Sequence, residues 1–184
     1  MKRIVFILLL VGFVSCKPSW QQVINDLIGR RLSFPESLIS YEMGDVTKVS
    51  IQDSLNKYGG AILYYFGKEE CQTCLVDKIP KWTDELIASF PQVPIVYVLA
   101  DNVEDAIPLT ISKLAPTALI LIDRGNSFLK MNSFIPRESF LRSYVLDSER
   151  QILLCGSLVG NERLKDLYGK IARNKGALLE SEAK

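Results

Sequence analysis

Ala61-Ile-Leu-Tyr-Tyr-Phe66, then Gly-Lys-Glu-Glu, then Cys71-Gln-Thr-Cys74: the reading of this stretch decides the fold of the 184-residue chain. Its first six residues are apolar or aromatic without interruption, the pattern of a strand buried on both faces. Beyond the cysteines, Leu75, Ile79, Trp82 and Leu86 recur at helical spacing, which predicts a helix over about 73–89 with one apolar face. The cysteines therefore fall where a central strand ends and a helix begins. At a helix N-terminus, unpaired backbone N–H groups and the macrodipole favour a thiolate. A thiolate is the nucleophile of disulfide exchange, and a second thiol one turn further on can close a disulfide onto it.

Four cysteines are present: Cys16, Cys71, Cys74 and Cys155. Cys155 ends the apolar run Gln151-Ile-Leu-Leu-Cys155 and reads as a buried structural thiol. For Cys71 and Cys74 three further readings stand beside redox chemistry. One is half of a zinc site, although no second C-x-x-C or histidine would complete four ligands. Another is a static disulfide, and the third is a pair without a substrate. The chain has no histidine at all, which excludes Ser-His-Asp and Cys-His catalysis and histidine metal sites.

Working outward to the N-terminus, Lys2 and Arg3 precede an apolar stretch from Ile4 to Val14, with Ser15 just before Cys16. Charge, short apolar run and small residue read as an export signal over residues 1–15. The run is too short to span a bilayer as a helix, which takes about 20 residues. Phe13-Val-Ser-Cys16 resembles a lipobox of the relaxed kind found in Bacteroides-like bacteria. That resemblance implies lipid on Cys16, a tether over 16–26, and a place in the cell envelope, at the outer membrane facing the periplasm. Trp20 would rest at the lipid interface. Without Lys2 and Arg3 the 22 basic residues fall to 20, against 21 acids, for a net charge of −1. Nothing in that balance points to nucleic acid.

The remaining elements are read in turn. Val93 to Leu99 is a second buried strand, 102–114 is a weak helix interrupted by Pro108, and Ala118 to Asp123 is a strand. Ser143 to Asp147 and Gln151 to Gly156, joined by Ser-Glu-Arg, resemble the final hairpin of the redoxin fold. A closing helix over 161–172 carries Leu164, Leu167 and Ile171 on one face, and 174–184 is a polar tail.

With its C-x-x-C between such a strand and helix, the chain resembles the thioredoxin-like superfamily, within it the exported redoxins of the alkyl hydroperoxide reductase/thiol-specific antioxidant group. The resemblance runs over about 27–172. It implies an α/β fold, a central mixed sheet flanked by helices, as one domain over 27–173. Ile28 to Leu32 with Phe34-Pro35 would be the opening strand. Cys71 would be the nucleophilic and Cys74 the resolving cysteine, acting on thiols and disulfides of partner proteins with no organic cofactor or metal. Such folds carry a cis-proline facing the disulfide, and two threadings compete for it. In one, Pro116 of Ala115-Pro-Thr117 is that proline. In the other, which the final hairpin favours, the position falls near Leu141 or Arg142, where there is none.

Other departures concern the site itself. The buried acid some thioredoxins place six residues before the first cysteine falls on Tyr65, and the usual tryptophan before that cysteine is Glu70. Glu69 and Glu70 would raise the Cys71 pKa by like-charge repulsion, or else stand as solvated loop charges. A peroxiredoxin would have threonine or serine three places before its cysteine, where this chain has Lys68. The rival function is a thioredoxin-like lipoprotein that serves as a binding or assembly module with structural cysteines.

Overall fold

The computed structural model describes residues 19–42, 45–47, 51–100 and 118–182. Cys16, Pro116 and the helix expected over 102–114 lie outside the described residues.

The chain opens with α1 (Trp20–Leu27), which a capping box starts: Ser19 Oγ accepts from the Gln22 N–H, and Gln22 Oε1 accepts from the Ser19 N–H. This helix occupies most of the stretch read as a tether. Next come β1 (Ile39–Glu42), β2 (Asp45–Thr47), α2 (Ile51–Tyr58) and β3 (Gly60–Phe66). The long helix α3 (Gln72–Ser89) leads to β4 (Ile95–Ala100). After β5 (Ala118–Asp123) come a short α4 (Ser127–Met131), β6 (Ser143–Asp147), β7 (Ile152–Cys155) and α5 (Glu162–Glu182). Helix α5 continues through Glu182, into the stretch read as a polar tail.

Among the described residues the strands form one seven-stranded sheet in the order β2-β1-β5-β4-β3-β6-β7. The three central strands β5, β4 and β3 are parallel, while β6, β7, β1 and β2 run antiparallel to their neighbours. Strand β3 is buried along its whole length because helices cover both faces. Ala61, Leu63 and Tyr65 enter a core with Leu27 of α1, Leu55 of α2 and Phe128 of α4. Ile62, Tyr64 and Phe66 enter the opposite core with Leu75, Ile79 and Leu86 of α3 and Tyr168 of α5. Alternation along one strand thus divides the molecule into two apolar layers.

Trp82 completes the layer under α3, its ring 5.6 Å from Tyr64 and 5.9 Å from Phe66. The buried Thr83 hydroxyl shares a 2.8 Å hydrogen bond with Tyr97 Oη and donates to the Ile79 carbonyl at 2.8 Å. Pro80 is accommodated inside α3. On the far side of that layer, Glu85 accepts from the Gly160 N–H and pairs with Lys165, fastening α5 to α3.

The final hairpin forms as read. Asp147 closes its turn by accepting from the Glu149 N–H at 2.9 Å and the Gln151 N–H at 2.8 Å, with Arg150 in the left-handed region at φ 66°. Gly60 lies against the Leu146 carbonyl at φ 156°, where a Cβ would collide with the partner strand's backbone.

The expected opening strand is a correction. Residues 28–35 form no strand: an isolated antiparallel bridge, Arg31 with Gln151, and backbone bonds from the Gly29 and Leu32 N–H groups to the Ile152 and Arg150 carbonyls tie them to the β6-β7 hairpin. Past that bridge the buried Asn132 side chain takes over: its Oδ1 accepts from the Ser33 N–H, and its amide donates to the Ser33 carbonyl. A side chain there supplies the bonds a neighbouring strand would have supplied.

Candidate functional site

Strand β3 ends at Phe66, and residues 67–70 turn the chain, with the Glu70 N–H bonding the Gly67 carbonyl at 3.1 Å. Cys71 then caps α3, its backbone extended (φ −70°, ψ 109°), and its carbonyl accepts from the Leu75 N–H. Cys74 is one turn on. The two are joined as a disulfide with Cα atoms 5.3 Å apart, inside the span a disulfide can bridge. Both residues are exposed. No acidic residue stands in the first turn of α3.

Cys155 stands apart from this pair. It is buried at the end of β7, its thiol donates to the Leu141 carbonyl at 3.4 Å, and burial pushes its pKa up to about 12. That is an inert structural thiol, as the sequence reading held.

Facing the end of β3 is the start of β6. The Tyr65 N–H bonds the carbonyl of Arg142, the residue immediately before β6. Arg142 therefore occupies the position where the second threading looked for a proline. No peptide bond among the described residues is cis. The Arg142 side chain is almost wholly buried and fully engaged. Its Nε donates to the Pro136 carbonyl at 2.9 Å, Nη2 donates to the Arg137 carbonyl at 2.6 Å, and Nη1 pairs with Glu69. The guanidinium also lies 5.7 Å from the centre of the Tyr65 ring.

Glu69 is exposed, as one reading had it, and it also pairs with the buried Arg142. Burial pushes its carboxyl pKa up, but its own backbone N–H and the Arg142 guanidinium outweigh that and hold it below the usual carboxylate range. Gly67 makes the pairing possible: a Cβ there would lie 2.5 Å from Arg142 Nη1 and 2.5 and 2.6 Å from the Glu69 carboxylate oxygens.

Tyr65 replaces the buried acid, as read. Its hydroxyl is buried without a hydrogen-bond partner among the described residues, and burial, with the nearby Asp123 carboxylate, raises its pKa far above the ordinary tyrosine value. Asp123 itself is fully buried and accepts from the Phe128 N–H at 3.0 Å, holding the start of α4. Neither Asp123 nor Arg142 had been singled out as a site residue. The only trace of Arg142 is a lone cation directly before the buried run Ser143-Tyr-Val-Leu-Asp147.

The core of this arrangement is a parallel β3-α3-β4 unit followed by the β6-β7 hairpin and α5, with strand order β4-β3-β6-β7 and the cysteine pair at the β3-α3 junction. Solved structures share this fold. The mitochondrial 2-Cys peroxiredoxin of Plasmodium falciparum superposes with a TM-score of 0.55 over 80% of this chain and 96% of its own, at 12% identity. The fold is thioredoxin-like. The reduced 2-Cys peroxiredoxin of Plasmodium vivax superposes with a TM-score of 0.54, covering 80% and 99% of the two chains at 14% identity. A thiol:disulfide interchange protein, DsbE, of Chlorobium tepidum gives 0.50 over 76% and 93%, at 15% identity. At such identities the likeness shows the fold alone. No family sequence model and no curated protein matches the chain.

The sheet fits the second threading, with β6 and β7 as the final hairpin and β5 as the additional parallel strand beside β4, while Pro116 itself lies outside the described residues. Among the described residues no group of three or more histidine, cysteine or carboxylate side chains is placed to hold a metal.

Proposed function

We infer that the protein is a thiol–disulfide oxidoreductase of the cell envelope, held at a membrane by lipid on Cys16, with Cys71 as nucleophile and Cys74 as resolving cysteine. The observation that carries this reading is the Cys71–Cys74 disulfide, exposed at the N-terminus of α3 on the central strand of a thioredoxin-like fold. In the reduced protein, the Cys71 thiolate attacks one sulfur of a partner disulfide. The partner's S–S bond breaks, a Cys71–partner mixed disulfide forms, and the displaced partner thiolate takes a proton. Deprotonated Cys74 then attacks the Cys71 sulfur and expels the second partner thiolate, which is protonated in turn. Two electrons pass to the partner, and this chain is left as the Cys71–Cys74 disulfide. The same steps reversed oxidise a partner dithiol.

The 2-Cys peroxiredoxins and the interchange protein that share the fold are in keeping with thiol chemistry at this place. The export signal and lipobox support a location where disulfides persist. A second reading, a binding or assembly module with a structural disulfide, draws on one observation: Arg142, not a cis-proline, precedes β6. Equilibration of the protein in glutathione buffers separates the two. The redox reading expects a potential above about −300 mV and reduction of insulin that Cys71→Ser abolishes. A potential far below that value, with no insulin reduction, would leave the binding-module reading.

A further inference from the structure

Arg142 and Glu69 lie 73 positions apart in sequence, and a gap at Gly67 admits their contact. The guanidinium joins three pieces of chain: the turn that delivers Cys71, the 136–137 segment, and the Tyr65 ring at the end of β3. Burying a guanidinium is costly unless it is paired and its N–H groups are satisfied, and here two carbonyls and one carboxylate meet that need. The carboxylate is the revealing partner, because it comes from the turn leading into Cys71.

We propose that the Glu69–Arg142 pair is a charge-balancing clasp that keeps either of its charges from displacing the acidity of the Cys71 thiol. Both residues are positioning residues. This inference rests on the redox reading only in giving that acidity a use, since the thiol can be titrated whether or not the protein turns over. Two residues of extended chain reach at most about 7 Å, so the Glu69 Cα lies within that distance of the Cys71 Cα. An unbalanced carboxylate at such range disfavours a thiolate, and an unbalanced guanidinium favours it. Paired, they largely cancel. The other charges of the turn, Lys68 and Glu70, and those on the nearby part of α3, Asp77 and Lys78, remain the same in every variant below.

A merely structural clasp would shift the thiol in one direction whichever partner is removed. A charge balance requires opposite directions. At about 8–10 Å in a half-solvated setting, one unit charge changes an ionisation equilibrium by roughly two- to tenfold. The test uses the full chain, reduced and in mild detergent. The rate of iodoacetamide alkylation at Cys71 is followed against pH by peptide mass spectrometry. Glu69→Gln is expected to lower the apparent Cys71 pKa and Arg142→Gln to raise it, each by that factor, with the double variant close to the parent. Because Arg142 is buried, Arg142→Lys serves as the folded control and should stay near the parent. Should Arg142→Gln not fold, Glu69→Lys, which reverses the exposed charge without opening a cavity, is expected to lower the Cys71 pKa further than Glu69→Gln, whereas loss of a structural contact would shift both variants equally. Shifts of the same sign in Glu69→Gln and Arg142→Gln, equal shifts in Glu69→Gln and Glu69→Lys, or an unmoved Glu69→Gln profile, would overturn the clasp. Insulin reduction measured on the parent in the same preparation reports separately on the redox reading.

Discussion

Reduction of the Cys71–Cys74 disulfide should cost the fold little. A disulfide stabilises chiefly by restricting the unfolded chain, and the restriction grows with the loop it closes. Cys71 and Cys74 are only three positions apart, so the loop comprises four residues. The chain-entropy relation then gives about 6 cal/mol/K, or roughly 2 kcal/mol at 25 °C. Neither apolar layer includes the pair: the α3 layer begins at Leu75, and the opposite layer is held by α1, α2 and α4. Oxidised and reduced protein should therefore unfold in urea with the same m-value and differ by no more than about 2 kcal/mol. Near the midpoint of a thermal melt that is about 4–8 °C for a domain of this size. The assay is a pair of urea titrations followed by far-UV circular dichroism, with and without dithiothreitol, repeated on the Cys71→Ser/Cys74→Ser variant. Loss of more than about 4 kcal/mol, or unfolding on reduction, would refute the reasoning, because a pair that cycles must leave both states folded.

Further outcomes follow from the packing and the charges. Asn132→Ala removes the bonds to Ser33 and one to the Phe128 carbonyl from a fully buried site, so urea titration should show a loss of about 3 kcal/mol. Cys155, buried with its pKa raised to about 12, should resist thiol reagents at pH 8 in the native protein and react once the protein is denatured. The depressed Glu69 carboxyl contributes stability above the ordinary carboxylate pKa, and that contribution is lost as pH falls through its lower folded value. Because the Glu69 side chain is more than half exposed, the effect is under about 1 kcal/mol. Melting curves of the parent and Glu69→Gln should differ at pH 7 and converge once the pH has fallen below the lowered folded value of the carboxyl.

The legible parts of this molecule are those where one rule acts alone. Strand β3 is covered on both faces, so burial dictates each of its side chains and leaves an unbroken apolar run. Helix α3 packs one face on the sheet and therefore shows helical periodicity, enough to place its start within a residue. The β6-β7 hairpin is legible on another ground, the resemblance of its two runs and the turn between them to the final redoxin hairpin. By contrast, β1 and β2 are four and three residues long, too short to carry a period, and they were not anticipated. Helix α1 did leave a signal, the Ser19-x-x-Gln22 capping box, but it lay in a stretch assigned to the tether. The site divides along the same line. Cys71 and Cys74 are adjacent in sequence and announce themselves, whereas Glu69 and Arg142 meet only after β3 and β6 have paired. Their contact further needs an empty space at Gly67, a property of no local pattern.

The central claim is that Cys71 exchanges disulfides with partner proteins and Cys74 resolves the exchange. Cys74→Ser tests it most directly, because without the resolving thiol the mixed disulfide has no internal escape. The variant is produced in bacterial cells, free thiols are blocked with acid and alkylating agent, and the cells' proteins are separated on non-reducing gels. Partner-sized adducts should appear that dithiothreitol releases and that Cys71→Ser/Cys74→Ser abolishes. A Cys74→Ser protein that stays monomeric, with its Cys71 thiol fully free for alkylation, would contradict the account.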